Sequence, residues 1–209
     1  MQQFIKPKNQ YQVEYLRTVI ENDITFVHGA SGTGKSAIAI GLACEKLLNR
    51  QIERIIFTRP FVNAGAGLGF LKGDLTEKCE PYFLPALDEF GKYFTPKDLI
   101  ELRKIKKIML EPLELMRGSN YYDSVMIMTE AQNATYEQIR MFVTRMGTGS
   151  KTIVEGDSKQ SDSPTQDFIR FVKHFSSKNI KGISTVELPF ESIVRSPIIG
   201  RFLIETEDL

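Results

Sequence analysis

Short runs rich in Val, Ile and Phe alternate along the chain with longer segments whose apolar residues recur at helical spacing. The runs predict strands at Ile24–His28, Arg54–Thr58, Lys107–Glu111, Val125–Met128, Thr152–Glu155 and Ile183–Glu187. Between the first two, Lys35–Asn49 reads as a helix with Ile38, Leu42 and Leu47 among its apolar positions. Thr135–Met146 reads as a second helix, with Ile139, Phe142 and Val143 on one face. Gln166–Phe175 is a third, carrying Phe168, Ile169, Phe171 and Val172. This alternation implies an α/β fold with a mainly parallel sheet, right-handed crossovers and helices on both faces. Ligands of such sheets bind at the carboxyl ends of the strands.

The turn between the first strand and the first of these helices carries the clearest chemistry. Gly29-Ala30-Ser31-Gly32-Thr33-Gly34-Lys35-Ser36 has the spacing of a P-loop and the strand–turn–helix context that the motif needs. Its glycines let the backbone bend so that successive N–H groups point inward and cradle phosphate oxygens. The start of the following helix adds partial positive charge. Lys35 is expected to reach the β- and γ-phosphates of ATP, and the Ser36 hydroxyl to ligate Mg²⁺.

The other half of such a site is a hydrophobic strand ending in acidic residues. Val125-Met126-Ile127-Met128-Thr129-Glu130 fits, with Thr129 where Asp is usual. Glu130 is the candidate general base and a candidate metal-side carboxylate. Thr129 can hydrogen-bond a metal-bound water but brings no charge, which predicts weaker Mg²⁺ binding or slower turnover. Gly156-Asp157-Ser158-Lys159-Gln160 follows the strand Thr152–Glu155 directly. A turn there would set Asp157 and Gln160 beside the γ-phosphate, to orient water or to sense the phosphate.

Composition narrows the rest. With 209 residues, 42% apolar and 25% charged, the chain suits one globular α/β domain. No apolar run reaches the roughly 18 residues that span a bilayer, and the N-terminus does not read as a signal peptide. A cytoplasmic protein is therefore expected. The net charge of +1 makes no global case for nucleic acid. The dense basic cluster Arg103, Lys104, Lys106 and Lys107 reads as a solvated helix face. Asn63–Gly69 is a glycine-rich loop that fits a surface turn as well as a ligand grip. Cys44 and Cys79 suit neither a disulfide framework nor a zinc site, and Cys44 reads as a small buried thiol.

With these motifs in order, the chain resembles the PhoH-like family of P-loop ATPases, from about Gln10 to Phe202. The resemblance rests on Gly29–Ser36, Thr58-Arg59-Pro60, Gly69-Phe70-Leu71-Lys72-Gly73-Asp74-Leu75 and Met116-Arg117-Gly118. It rests equally on Glu130-Ala131-Gln132-Asn133-Ala134-Thr135, Met141-Phe142-Val143-Thr144-Arg145 and Gly156–Gln160. It implies ATP hydrolysis on a single RecA-like core related to superfamily-one helicases, with RNA or single-stranded DNA as partner. It also implies that Gln12 reads adenine, that Arg59 touches nucleic acid, and that Arg195 acts as an arginine finger on the γ-phosphate. The departures are Thr129, in place of Asp, and Glu155, where a small hydroxyl residue usually precedes Gly156-Asp157.

The sequence-based expectation is one domain over residues 1–209 with a small insertion at roughly 65–110, like the short stand-alone members found in phages. One such lobe offers one wall of an ATP site. A ring-forming homo-oligomer, such as a hexamer, is therefore expected, with Arg195 completing a neighbour's site. A nucleotide switch with little hydrolysis, or a nucleic-acid-binding scaffold, is the alternative.

Overall fold

The computed structural model describes residues 5–61, 75–157 and 166–194, together with Ile198 and Phe202. Six parallel strands form one sheet: β1 (Ile24–Gly29), β2 (Arg54–Thr58), β3 (Ile108–Leu110), β4 (Ser124–Met128), β5 (Lys151–Gly156) and β6 (Ile183–Leu188). Their spatial order is β3-β2-β4-β5-β1-β6. The P-loop strand β1 thus lies between β5 and β6, with β4 one strand further away.

The strands read as near-continuous apolar runs because both faces of the sheet are covered. Val27, Ile55, Phe57, Val125, Ile127 and Ile153 point to one side, in the cluster that holds Tyr15, Ile38 and Phe83. Their neighbours Phe26, Ile56, Met126, Met128 and Val154 point to the other, against Ile139, Phe142, Phe168 and Val172. Alternate residues of each strand therefore feed two separate cores.

The first layer is built from α1 (Gln10–Glu21), α2 (Lys35–Leu48) and α3 (Leu75–Phe90). Asn9 caps α1, its side chain accepting from the Gln12 N–H at 2.9 Å. In α3, Cys79, Phe83, Ala86 and Phe90 are buried, a helical stripe that holds although Pro81 and Pro85 lie inside the helix. After it, α4 (Pro96–Lys104) leads into β3, with Thr95 as its N-cap and proline at its first position. The second layer is α5 (Tyr136–Val143) and α6 (Asp167–Ser176). A capping box between Thr135 and Gln138 opens α5.

All six expected strands form, and the three expected helices form within three residues of their expected ends. Cys44 is buried in α2, and burial pushes its thiol pKa up. The basic cluster sits at the end of α4 and the turn after it. There Arg103 pairs with Glu80 at 2.8 Å, Lys104 with Glu101 at 3.8 Å and Lys107 with Glu53 at 3.6 Å. Among the described residues no helix is long and apolar enough to cross a membrane.

Candidate functional site

The carboxyl ends of β1, β5 and β4 open into a cleft of about 450 Å³, lined by the P-loop, Arg59, Thr129, Glu130, Gln132, Glu155, Asp157 and the α3 residues Tyr82, Pro85 and Glu89. The loop needs its glycines. Gly29 has φ +152°, and a Cβ there would lie 2.1 Å from the Leu188 carbonyl oxygen. Gly34 has φ +85° and is pressed from below by the Gln12 amide, 2.6 Å from where a Cβ would be. Gly34 is also the N-cap of α2 and makes no side-chain capping bond. The first N–H groups of that helix are left to the loop interior, as in anion sites at helix starts.

The Lys35 ammonium lies folded into the loop, donating to the carbonyl oxygens of Gly29 at 2.7 Å and Ala30 at 2.9 Å. Burial pulls its pKa below the usual lysine range, and Glu155, Asp157 and Glu130 pull the other way. Asp157, which is 6% exposed, accepts from the Ser31 N–H at 3.1 Å. The turn after β5 is thereby fastened to the P-loop. Thr33 lies inside the loop, its hydroxyl donating to the Ala30 carbonyl at 2.9 Å.

Ser36, at the start of α2, donates its hydroxyl to Glu155 Oε2 at 2.9 Å. The other oxygen of that carboxylate accepts from Tyr15 Oη of α1 at 2.7 Å. Glu155 is 1% exposed. Burial pushes its pKa up to about 7, against the hydrogen bonds from Tyr15 and Ser36 and the charge of Lys35. Tyr15 is held far above its ordinary value by burial and by the adjoining Glu155.

At the end of β4, Thr129 is buried and its N–H continues the ladder to the Thr58 carbonyl at 3.1 Å. Glu130 follows in the left-handed region at φ +55°. A non-glycine residue held there is strained, and such strain gathers at functional positions. The turn brings the exposed Glu130 carboxylate to the cleft, where it accepts from Gln132 Nε2 at 2.6 Å.

Gln12 is 3% exposed and donates to the Thr33 carbonyl at 2.8 Å, while its amide oxygen accepts from the Lys8 N–H at 2.8 Å. It braces the underside of the P-loop. Arg59 lines the same cleft and donates to the Tyr82 carbonyl of α3 at 3.2 Å. The structure thus brings together Gln12, the whole loop from Gly29 to Ser36, Arg59, Thr129, Glu130 and Asp157. Gln160 and Arg195 lie outside the described residues, as does the glycine-rich stretch Asn63–Gly69. The chain leading toward Arg195 is anchored on the loop, since the Val194 N–H donates to the Gly32 carbonyl at 3.1 Å.

The sequence pattern of the PhoH-like protein family matches residues 4–205. The chain belongs to the PhoH-like family. A PhoH-like protein of Bacillus subtilis is 40% identical over 206 residues, covering 98% of this chain and 64% of the relative. One from Synechocystis is 37% identical over 202 residues, covering 96% and 62%. The protein PhoH of Escherichia coli is 35% identical, covering 95% and 57%. The chain therefore spans less than two thirds of the length of these relatives. Among solved structures, it superposes on the large terminase of a thermophilic bacteriophage with a TM-score of 0.57 at 11% identity, over 95% of this chain and 50% of that one. It superposes on the UvsW helicase of bacteriophage T4 with a TM-score of 0.52 at 14% identity, over 88% and 61%. The fold is that of a P-loop NTPase and is shared with these two proteins.

Among the described residues, Gln132 and Tyr15 are hydrogen-bonded into the site of this PhoH-like chain and carry no sequence-based role. Gln132 is 3% exposed and bridges the two arms of the cleft, donating to Glu130 and accepting from the Asp157 N–H at 3.0 Å. Its place two residues after Glu130 was the available signal. Tyr15 left none, because its partner Glu155 is 140 residues away.

Proposed function

We propose that this protein binds ATP with Mg²⁺ and hydrolyses it, with hydrolysis coupled to RNA or single-stranded DNA. The observation that carries the reading is the loop from Gly29 to Ser36. Its glycines at positive φ, inward lysine and uncapped helix start face Glu130 and Asp157 across one cleft. These groups fit a magnesium nucleotide. Backbone N–H groups and Lys35 suit the phosphates. The Ser36 hydroxyl and the carboxylates near it suit a hard cation that prefers oxygen ligands.

Bound Mg²⁺ would supply charge neutralisation at the phosphates. The chain's own groups divide the remaining work. Lys35 leaves the Gly29 and Ala30 carbonyls for the β- and γ-phosphate oxygens. Glu130 orients water and accepts its proton. Asp157 and Gln160 hold the water and the γ-phosphate side, Arg195 adds positive charge late in the reaction, and Gln12, with both amide atoms bonded within the chain, supports the loop from beneath rather than reading adenine. Membership of the PhoH-like family and the fold shared with a helicase support the link to nucleic acid, for which Arg59 is the candidate contact. A ring of identical subunits would set a neighbour's surface over the cleft. One observation favours a second reading, a nucleotide switch with little turnover: β4 is followed by the uncharged Thr129.

Phosphate release with Mg²⁺ and ATP tests these readings, measured alone and with RNA, single-stranded DNA and duplex DNA. Turnover should be stimulated by RNA or single strands more than by duplex. Lys35→Ala should abolish it. Turnover within twofold of wild type in Lys35→Ala would remove the P-loop from the mechanism. Equal rates in all four conditions would remove the coupling. Tight ATP binding without turnover would favour the switch.

A further inference from the structure

We infer that Glu155, on β5, supplies the buried carboxylate on the metal side of the site that the end of β4 lacks, and that Tyr15 holds it in place. The inference rests on the ATP·Mg²⁺ reading above and deepens it.

The register of the sheet makes the argument. Strands β4 and β5 are paired in parallel with Met128 beside Val154. The next step sets Thr129 beside Glu155. Two residues earlier, Ile127 and Ile153 both point into the core beneath α1 and α2. By the two-residue period of a strand, Thr129 and Glu155 therefore face that same side. There α2 begins, and Ser36 is its second residue. Of the two neighbours, it is Glu155 that accepts the Ser36 hydroxyl's hydrogen bond, at 2.9 Å. A serine that donates its O–H to a carboxylate keeps its oxygen lone pairs for a cation. The carboxylate beyond then adds negative charge and fixes the direction of those lone pairs. Outer groups of this kind orient metal ligands and tune affinity.

The second oxygen of Glu155 is held by Tyr15 Oη at 2.7 Å, so the carboxylate is clamped between α1 and α2. A fully buried carboxylate at the floor of an anion-binding loop opposes phosphate binding unless a cation comes with the phosphate. Glu155 therefore makes nucleotide binding conditional on the metal. Tyr15 is a positioning residue, acting through Glu155.

The test separates metal from nucleotide. Binding of a fluorescent ATP analogue is measured first in EDTA and then during a Mg²⁺ titration, and Mn²⁺ uptake is followed by electron paramagnetic resonance. The proteins are wild type, Glu155→Gln, Tyr15→Phe and the exchange variant Thr129→Asp/Glu155→Thr. In Glu155→Gln, analogue affinity in EDTA should equal or exceed wild type, while Mg²⁺ half-saturation and Mn²⁺ affinity weaken roughly 10- to 100-fold. Tyr15→Phe should fall between. The exchange variant moves the carboxylate one strand across at the same level and should recover most of the loss. Unchanged Mg²⁺ and Mn²⁺ affinity in Glu155→Gln overturns the inference. So does equal loss of analogue binding in EDTA by Glu155→Gln and the exchange variant, which would make Glu155 part of the scaffold alone. Wild type that binds no analogue with or without metal would instead defeat the ATP reading.

Discussion

Gln132 accepts the Asp157 N–H at 3.0 Å, tying the end of β5 to the turn after β4 through one buried side chain. The same amide donates to Glu130 at 2.6 Å, so the orientation of the proposed base depends on it. Gln132→Ala is expected to keep nucleotide affinity within a few-fold of wild type. Turnover should fall by about 10²-fold, the scale on which misplacing a reacting group by an ångström acts. Parallel measurement of kcat and KM checks it, and a change confined to KM would show that Glu130 does not need the brace.

Glu130→Gln should separate binding from chemistry. The amide keeps the shape of the carboxylate and cannot take a proton. ATP should remain bound, and single-turnover cleavage should become undetectable. Normal cleavage would assign the base to another group.

The pH dependence of stability should carry the signature of Glu155. Its folded pKa of about 7 lies above the ordinary value of 4.5. Between the two, the native state holds a proton that the unfolded chain has released. Stability therefore falls as pH rises through this window, and is highest below it. The fall due to this group is on the order of 3 kcal/mol for the nucleotide-free protein. Thermal unfolding from pH 4.5 to 8 should show this slope in wild type and not in Glu155→Gln. Parallel curves for the two would place the titration elsewhere.

Arg195→Ala should bind ATP nearly normally and hydrolyse it about 10³-fold more slowly, the scale of an arginine finger. The sequence alone favours action on a neighbouring subunit. Val194 donating to the Gly32 carbonyl anchors the preceding segment on the chain's own P-loop and favours action in cis. Mixing Lys35→Ala with Arg195→Ala subunits should then restore nothing. Recovered turnover in mixed oligomers would return the finger to the neighbour.

The central strands were legible because a strand covered on both faces is apolar along most of its length, and such runs as Ile55-Ile56-Phe57 stand out. Helix α3 was not legible, because Pro81 and Pro85 signal a break that its stripe of Cys79, Phe83, Ala86 and Phe90 overrides. Helix α1 hid for another reason: its buried positions are Gln12, Tyr15 and Val19, which make a poor apolar stripe. The P-loop was readable because its chemistry is contiguous in sequence. Glu155 appeared there only as a departure. Its meaning depends on Ser36 and Tyr15, which lie 119 and 140 residues away and meet it only once the sheet has formed.

The P-loop is bonded to itself and to its neighbours. Lys35 already grips two loop carbonyls, and Asp157 already occupies the Ser31 N–H. An arriving phosphate must displace both before it gains anything, so nucleotide affinity is an exchange between internal and external partners. The same internal bonds hold the loop in its curved shape. Any change that weakens them, such as Asp157→Asn, should tighten the first encounter with a polyanion and loosen the loop that receives it.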